Sequence, residues 1–226
     1  MNRRKIALKI LSILKKEYSM YQTPVSTYFQ ETTKDAFKVL ISTILSARSR
    51  DSQTEKVSKE LFKIAGTPEK LTKLNYTKLC KIIYSIGFYK IKSKRIKKAS
   101  RFLLEHYNGK VPKTREELLK IPGVGRKVAN IVLAECFNVA AIAVDVHQNR
   151  LPNRMGFIKT KNPLETEKEL MKIYPKVKWS KLNRYFVVHG QNICLPISPK
   201  CGICKVEKYC KKIGVKNHRQ IIVNKP

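Results

Sequence analysis

Four things are scarce in this chain of 226 residues: long apolar runs, strand-like alternation, low-complexity linkers and acidic side chains. No apolar stretch approaches the length of a membrane span, which excludes a helix crossing a bilayer. The basic, partly apolar start "MNRRKIALKILSILKKEYSM" is not expected to act as a secretory leader. Lysines interrupt its apolar positions and no small-residue cleavage site follows. The pattern Ile6, Leu8, Ile10, Leu11, Leu14 is that of an amphipathic helix. The protein is therefore expected inside the cell, in the cytoplasm or nucleoid, where its six cysteines are poor candidates for disulfides. The absence of repeats excludes a solenoid.

The shortage of acid is the sharpest of these features. Asp and Glu total 16 against 48 Lys and Arg, a formal net charge of +32. Such an imbalance calls for a polyanion, and nucleic acid is the commonest. Hydrophobic residues make up 42% of the chain, enough for a real core.

Helical periodicity recurs almost everywhere, so the expected fold class is all-α. Asp35 caps "AFKVLISTILSA", Asp51 precedes "SQTEKVSKELFKIAG", and Gly66 ends that helix. Thr67 and Asn75 cap two short helices. "IKSKRIKKASRFLLEHYNG" places Ile96, Ala99, Leu103 and Tyr107 on one face and ends at Gly109. Thr114 and Glu117 have capping-box spacing.

Between helices expected at 114–120 and 126–137 lies Pro122-Gly123-Val124-Gly125, followed by Arg126 and Lys127. Glycine permits positive φ and close backbone approach. A helix start contributes amide donors and a positive dipole end. Gly123, Val124, Gly125 and Arg126 thus form a candidate cradle for a backbone phosphate, in a helix-hairpin-helix pattern. Lys127 falls in the first turn of the second helix, where the dipole and Arg126 disfavour the ammonium form. A neutral amine there can attack an electrophilic carbon and form a Schiff base. Asp145 is one of only three aspartates and follows the apolar run "VAAIAV". It suits an N-cap, and a rigidly held carboxylate can also stabilise developing positive charge or accept a proton.

Cys194, Cys201, Cys204 and Cys210 have the spacing C-x6-C-x2-C-x5-C. Four thiolates in so short a segment point to a metal centre, either tetrahedral zinc or an iron–sulfur cluster. Cys80 and Cys136 fall on apolar helical positions and read as core packing.

Five segments, "LSARSRD" (45–51), "IGFYKIK" (86–92), "IPGVGRKVANIVL" (121–133), "AVDVHQNR" (143–150) and "HGQNICLPISPKCGICKVEKYC" (189–210), occur in the order found in the endonuclease III family of DNA repair glycosylases. The chain resembles that family from about residue 30 to 212. The resemblance implies two helical domains flanking a DNA-binding cleft. One is a six-helix domain at 28–138 with the hairpin; the other, 1–27 plus 139–226, holds a 4Fe-4S cluster on the four cysteines. It implies Lys127 as nucleophile and Asp145 as its essential partner. The implied reaction removes an oxidised pyrimidine from damaged double-stranded DNA and nicks the abasic site by β-elimination. It also places Arg48 in the gap left by the flipped base and Phe88 at a wedge position, and leaves Lys200 as the one cation of "LPISPK". A monomer is expected. Two other readings stand beside this one: a mismatch or 8-oxoguanine glycosylase on the same scaffold, and a non-catalytic DNA-binding protein using the hairpin. Pro152, inside the helix after Asp145, is expected to kink it.

Overall fold

A computed structural model describes residues 2–21 and 23–216. The described residues form helices and connecting turns, with no strand among them, as the periodicity requires. They divide into two compact units, one comprising Pro24–Ala141 and the other Met1–Thr23 with Ile142–Pro226.

The continuous unit carries α2 (Val25–Thr33), α3 (Ala36–Ser46), α4 (Asp51–Ala65), α5 (Pro68–Lys73), α6 (Tyr76–Ile82), α7 (Tyr89–Tyr107), α8 (Arg115–Lys120) and α9 (Arg126–Cys136). Helix α3 is its axis. The sequence "AFKVLISTILS" is apolar nearly all round, and eight successive buried or nearly buried positions from Phe37 to Leu45 are interrupted only at Lys38. A helix without a polar face must be enclosed, and α2, α4, α7 and α9 pack around it. Its two buried hydroxyls are satisfied locally: Thr43 donates to Val39 O at 2.6 Å and Ser42 to the same carbonyl at 3.1 Å. Fully buried Leu40, Ile41, Leu61, Leu71, Leu79 and Ile96 fill the interior, each worth about 1.5–3 kcal/mol of burial.

The second unit joins α1 (Arg3–Tyr18) to α10 (Val146–Met155), α11 (Pro163–Ile173) and α12 (Trp179–Asn192). The apolar stripe of α1 supplies Ala7, Ile10, Leu11 and Leu14 to a core shared with Leu170, Leu182 and Phe186. Tyr174 is buried there and donates to Ala7 O at 3.1 Å.

Most expected caps are in place. Asp35, Thr67, Asn75 and Asp145 each accept a backbone amide of the helix that follows. One differs. Asp51 is not a cap: Arg50 occupies the N-cap without a side-chain bond, and Asp51 sits in the first turn of α4, where the dipole favours its charge. Gly66 ends α4 as expected, though at φ −83°, outside the left-handed region. A side chain there is instead barred by crowding, since a Cβ would lie 2.8 Å from Phe62 O. Pro152 stands buried within α10, which continues only to Met155 before Gly156, at φ +80°, turns the chain.

Candidate functional site

The hairpin lies wholly in the continuous unit. Helices α8 and α9 pack together, with Arg115 Nε donating 3.0 Å to the buried Asn130 Oδ1. Val124 N closes the intervening turn on Ile121 O at 3.0 Å. Gly123 has φ +86°, and a Cβ there would come within 3.3 Å of the Arg95 side chain. Gly125 is different: a Cβ would meet nothing within 4 Å. Space is therefore open above the backbone at the N-cap of α9, which has no side-chain cap to neutralise its dipole. An anion fits this arrangement. Arg126 is exposed, and Lys127, one residue on, is half-buried in the first turn.

Two more turns of this unit come together. Arg48, between α3 and α4, has φ +55°; Phe88, capping α7, has φ +60°. Both are non-glycine residues in the left-handed region, which is uncommon. The Arg48 guanidinium lies 5.8 Å from the centre of the Phe88 ring, and Phe88 is 56% exposed. Beneath them Lys92, 3% exposed, donates from Nζ to Ser49 Oγ at 2.8 Å.

Asp145 belongs to the other unit. Its Oδ1 accepts from His147 N and Gln148 N, both at 2.9 Å, and so starts α10. The same helix then grips the cysteine loop. Arg150 donates to Cys194 O at 2.9 Å and to Gly190 O at 3.3 Å. Arg154 donates to Cys194 Sγ at 3.3 Å and to Leu195 O at 2.7 Å. His147 packs so closely on α12 that a Cβ on Gly190 would collide with its imidazole.

Cys194, Cys201, Cys204 and Cys210 line a single cavity, with Arg154, His189, Lys200 and Lys212 also in its wall. Among the described residues no group of three or more His, Cys, Asp or Glu is set to hold a metal ion. Burial pushes the thiols of Cys201 and Cys210 up and that of Cys204 to about 12. Unligated, these sulfurs remain neutral; as thiolates they need bound positive charge. Soft donors in a wall that also carries Arg154, Lys200 and the Lys212–Glu207 ion pair suit a metal–sulfur centre. Lys200 is half-buried at this wall, Lys205 is exposed near Met20, and Lys208 lies over the Tyr209 ring.

The family model for HhH-GPD superfamily base excision DNA repair proteins matches residues 41–176. Endonuclease III of Thermotoga maritima is 48% identical over 177 residues, covering 78% of this chain and 83% of that protein. The chain belongs to the endonuclease III family. A solved non-covalent endonuclease III–DNA complex superposes with a TM-score of 0.83 at 35% identity, over 94% of this chain and 96% of that one. A thermostable thymine-DNA glycosylase superposes at 0.79 with 25% identity, over 93% and 96%.

Within this endonuclease III fold, sequence reading had not singled out Arg150, Arg154, Ser49 or Lys92. Arg150 and Arg154 carried a faint signal, an i,i+4 pair of arginines on the helix that Asp145 caps. Lys92 looked like one of many lysines. Its burial, with Arg95 adding like charge, brings its pKa from 10.5 down to about 8. The folded chain therefore binds fewer protons here than the unfolded chain, and this group's contribution to stability rises with pH through the window from about 8 to 10.5. At pH 7 Lys92→Met is expected to stabilise the protein by about 1–2 kcal/mol, allowing for the lost Ser49 bond. The gain should shrink towards pH 10. Thermal unfolding of both proteins across that range checks it; a loss at pH 7, or a gain independent of pH, contradicts it.

Proposed function

We propose that this chain is a bifunctional DNA glycosylase and abasic-site lyase of base excision repair, acting on oxidised pyrimidines. The observation that carries this reading is a lysine one residue beyond an open phosphate cradle, in a chain of the endonuclease III family. Phosphate contacts at Gly123–Arg126 fix the strand without reading sequence. The damaged nucleotide leaves the stack; oxidised pyrimidines that are saturated or non-planar stack poorly and cost less to extrude. Lys127 Nζ attacks C1′ of the sugar through its lone pair. The glycosidic bond breaks and the base departs with its electron pair, taking up a proton. Ring opening gives a Schiff base on Lys127. Loss of a C2′ proton then expels the 3′ phosphate and nicks the strand. Asp145 supports the first step by stabilising positive charge on the sugar or accepting the amine's proton.

Cys194, Cys201, Cys204 and Cys210 would hold a 4Fe-4S cluster, which when bound supplies structural anchorage for the loop of residues 194–210. Arg154 and Arg150 tie that loop to α10, and hence to the N-terminus where Asp145 sits. The purified protein is expected to show the visible absorption of an iron–sulfur centre, with iron and acid-labile sulfide in equal amounts. Cys204→Ala should lose both and unfold at lower temperature. Zinc without sulfide contradicts this assignment.

The function is tested on matched duplexes that differ only in the lesion. Dihydrouracil or thymine glycol should be excised and the strand nicked. Excision of thymine from a T·G mismatch with the oxidised bases untouched would favour the mismatch reading.

A further inference from the structure

Between Glu69 and Glu105 the chain has eleven lysines and arginines and no acidic residue. This span covers α6, the turn after it and most of α7. Where α6 meets the start of α7 lies an open hollow of about 540 Å³, with Tyr76, Tyr84 and Tyr89 in its wall beside Cys80, Lys81 and Lys90. No carboxylate lines it among the described residues. The tyrosines are fixed relative to one another. Tyr76, on α6, donates from its hydroxyl to Lys90 O on α7 at 3.3 Å, so its ring bridges the two helices. Tyr84 meets Tyr89 edge to face, with ring centres 5.0 Å apart and planes at 61°. Tyr84 is nevertheless 68% exposed and Tyr76 37%. Exposed apolar side chains scattered singly are ordinary; aromatic rings converging on one hollow are not. Lys81 and Lys90 are both exposed, one on each helix.

We propose that this hollow binds single-stranded DNA, with an unpaired base stacked on Tyr84 and the flanking phosphates held by Lys81 and Lys90. A positively charged groove tracks a strand's backbone, and aromatic rings take its bases whatever their identity, because every base has a π face. Inside a duplex that face is covered by neighbouring base pairs, so only an unpaired nucleotide offers it to a tyrosine. Lysine is a point charge on a flexible stem and holds phosphate without reading sequence. The site lets the protein engage strands with unpaired nucleotides, such as gaps and loops. It uses neither Lys127 nor the hairpin, and so goes beyond the glycosylase reading and does not depend on it.

The test uses the full-length protein and two labelled strands of equal length, an oligothymidylate and a chain of tetrahydrofuran abasic units, which keeps the phosphates and lacks the bases. By fluorescence anisotropy the oligothymidylate should bind about fivefold tighter or more. Tyr84→Leu should bring its affinity down to that of the abasic strand, while Tyr84→Phe keeps the preference. Both variants should match the parent in melting temperature and in affinity for an intact duplex. Lys81→Gln and Lys90→Gln should weaken both strands alike and flatten the salt dependence. Photocrosslinking with 5-iodouracil in the strand should mark Tyr76, Tyr84 or Tyr89. Equal binding of the two strands, or a base preference that survives Tyr84→Leu, overturns the inference. So does self-association that Tyr84→Leu abolishes while neither strand is preferred, which would assign the hollow to a second copy of the chain. Base-dependent strand binding in a protein that excises no lesion would remove the glycosylase reading and leave this one standing.

Discussion

Lys127→Ala is expected to lose strand cleavage entirely and to lower base excision by at least about 10⁴-fold, a barrier increase of about 5.5 kcal/mol. The substitution removes the amine that forms the bond to C1′, and no solvent nucleophile takes its place at a comparable rate. The structural cost is small. Lys127 is half-buried in the first turn of α9, and alanine is the best helix former. The phosphate cradle is backbone, so DNA binding should weaken by no more than one charge contact. Circular dichroism, binding to an abasic analogue and single-turnover excision would together show a folded, DNA-binding and inactive protein. Residual β-elimination near the parent rate would assign the nucleophile elsewhere.

Asp145→Asn is expected to lower excision by about 10²–10⁴-fold with little change in stability. Asparagine caps helices as well as aspartate does, so its side-chain oxygen can keep the bonds from His147 N and Gln148 N that start α10. Only the negative charge is lost, and with it the support for a cationic sugar and the acceptor for a proton. Asp145→Ala, by contrast, should lose about 1 kcal/mol of stability as well, because the cap goes too. Parallel melting curves and single-turnover rates for the two variants separate the roles. An Asn variant as fast as the parent would reduce Asp145 to a cap.

The local features of this protein were readable because their causes are local. Asp35, Thr67, Asn75 and Asp145 cap helices through amides two or three residues away, and the four cysteines announce themselves by spacing. Helix α2, "VSTYFQETT", had no such signature: β-branched and hydroxyl residues are indifferent helix formers. It forms because it packs on α3 and α9, where Thr27 also donates to Glu135 at 3.1 Å. The same limit applies to the site. Arg150 and Arg154 act on carbonyls and a sulfur some forty residues away, and nothing in the chain marks that pairing. The left-handed residues Arg48 and Phe88 are not themselves glycines, so the sequence does not betray them; their mates hold them. Cys136 was expected as packing, and burial raises its thiol to about 12, an unreactive state.

The account turns on which atom of the protein joins the DNA. Borohydride reduction during turnover of a dihydrouracil duplex, followed by proteolysis and mass spectrometry, locates that atom directly. The adduct should fall on a peptide containing Lys127 and on no other. A stable adduct at another lysine or at the N-terminal amine, or released base with no adduct at all, would contradict it.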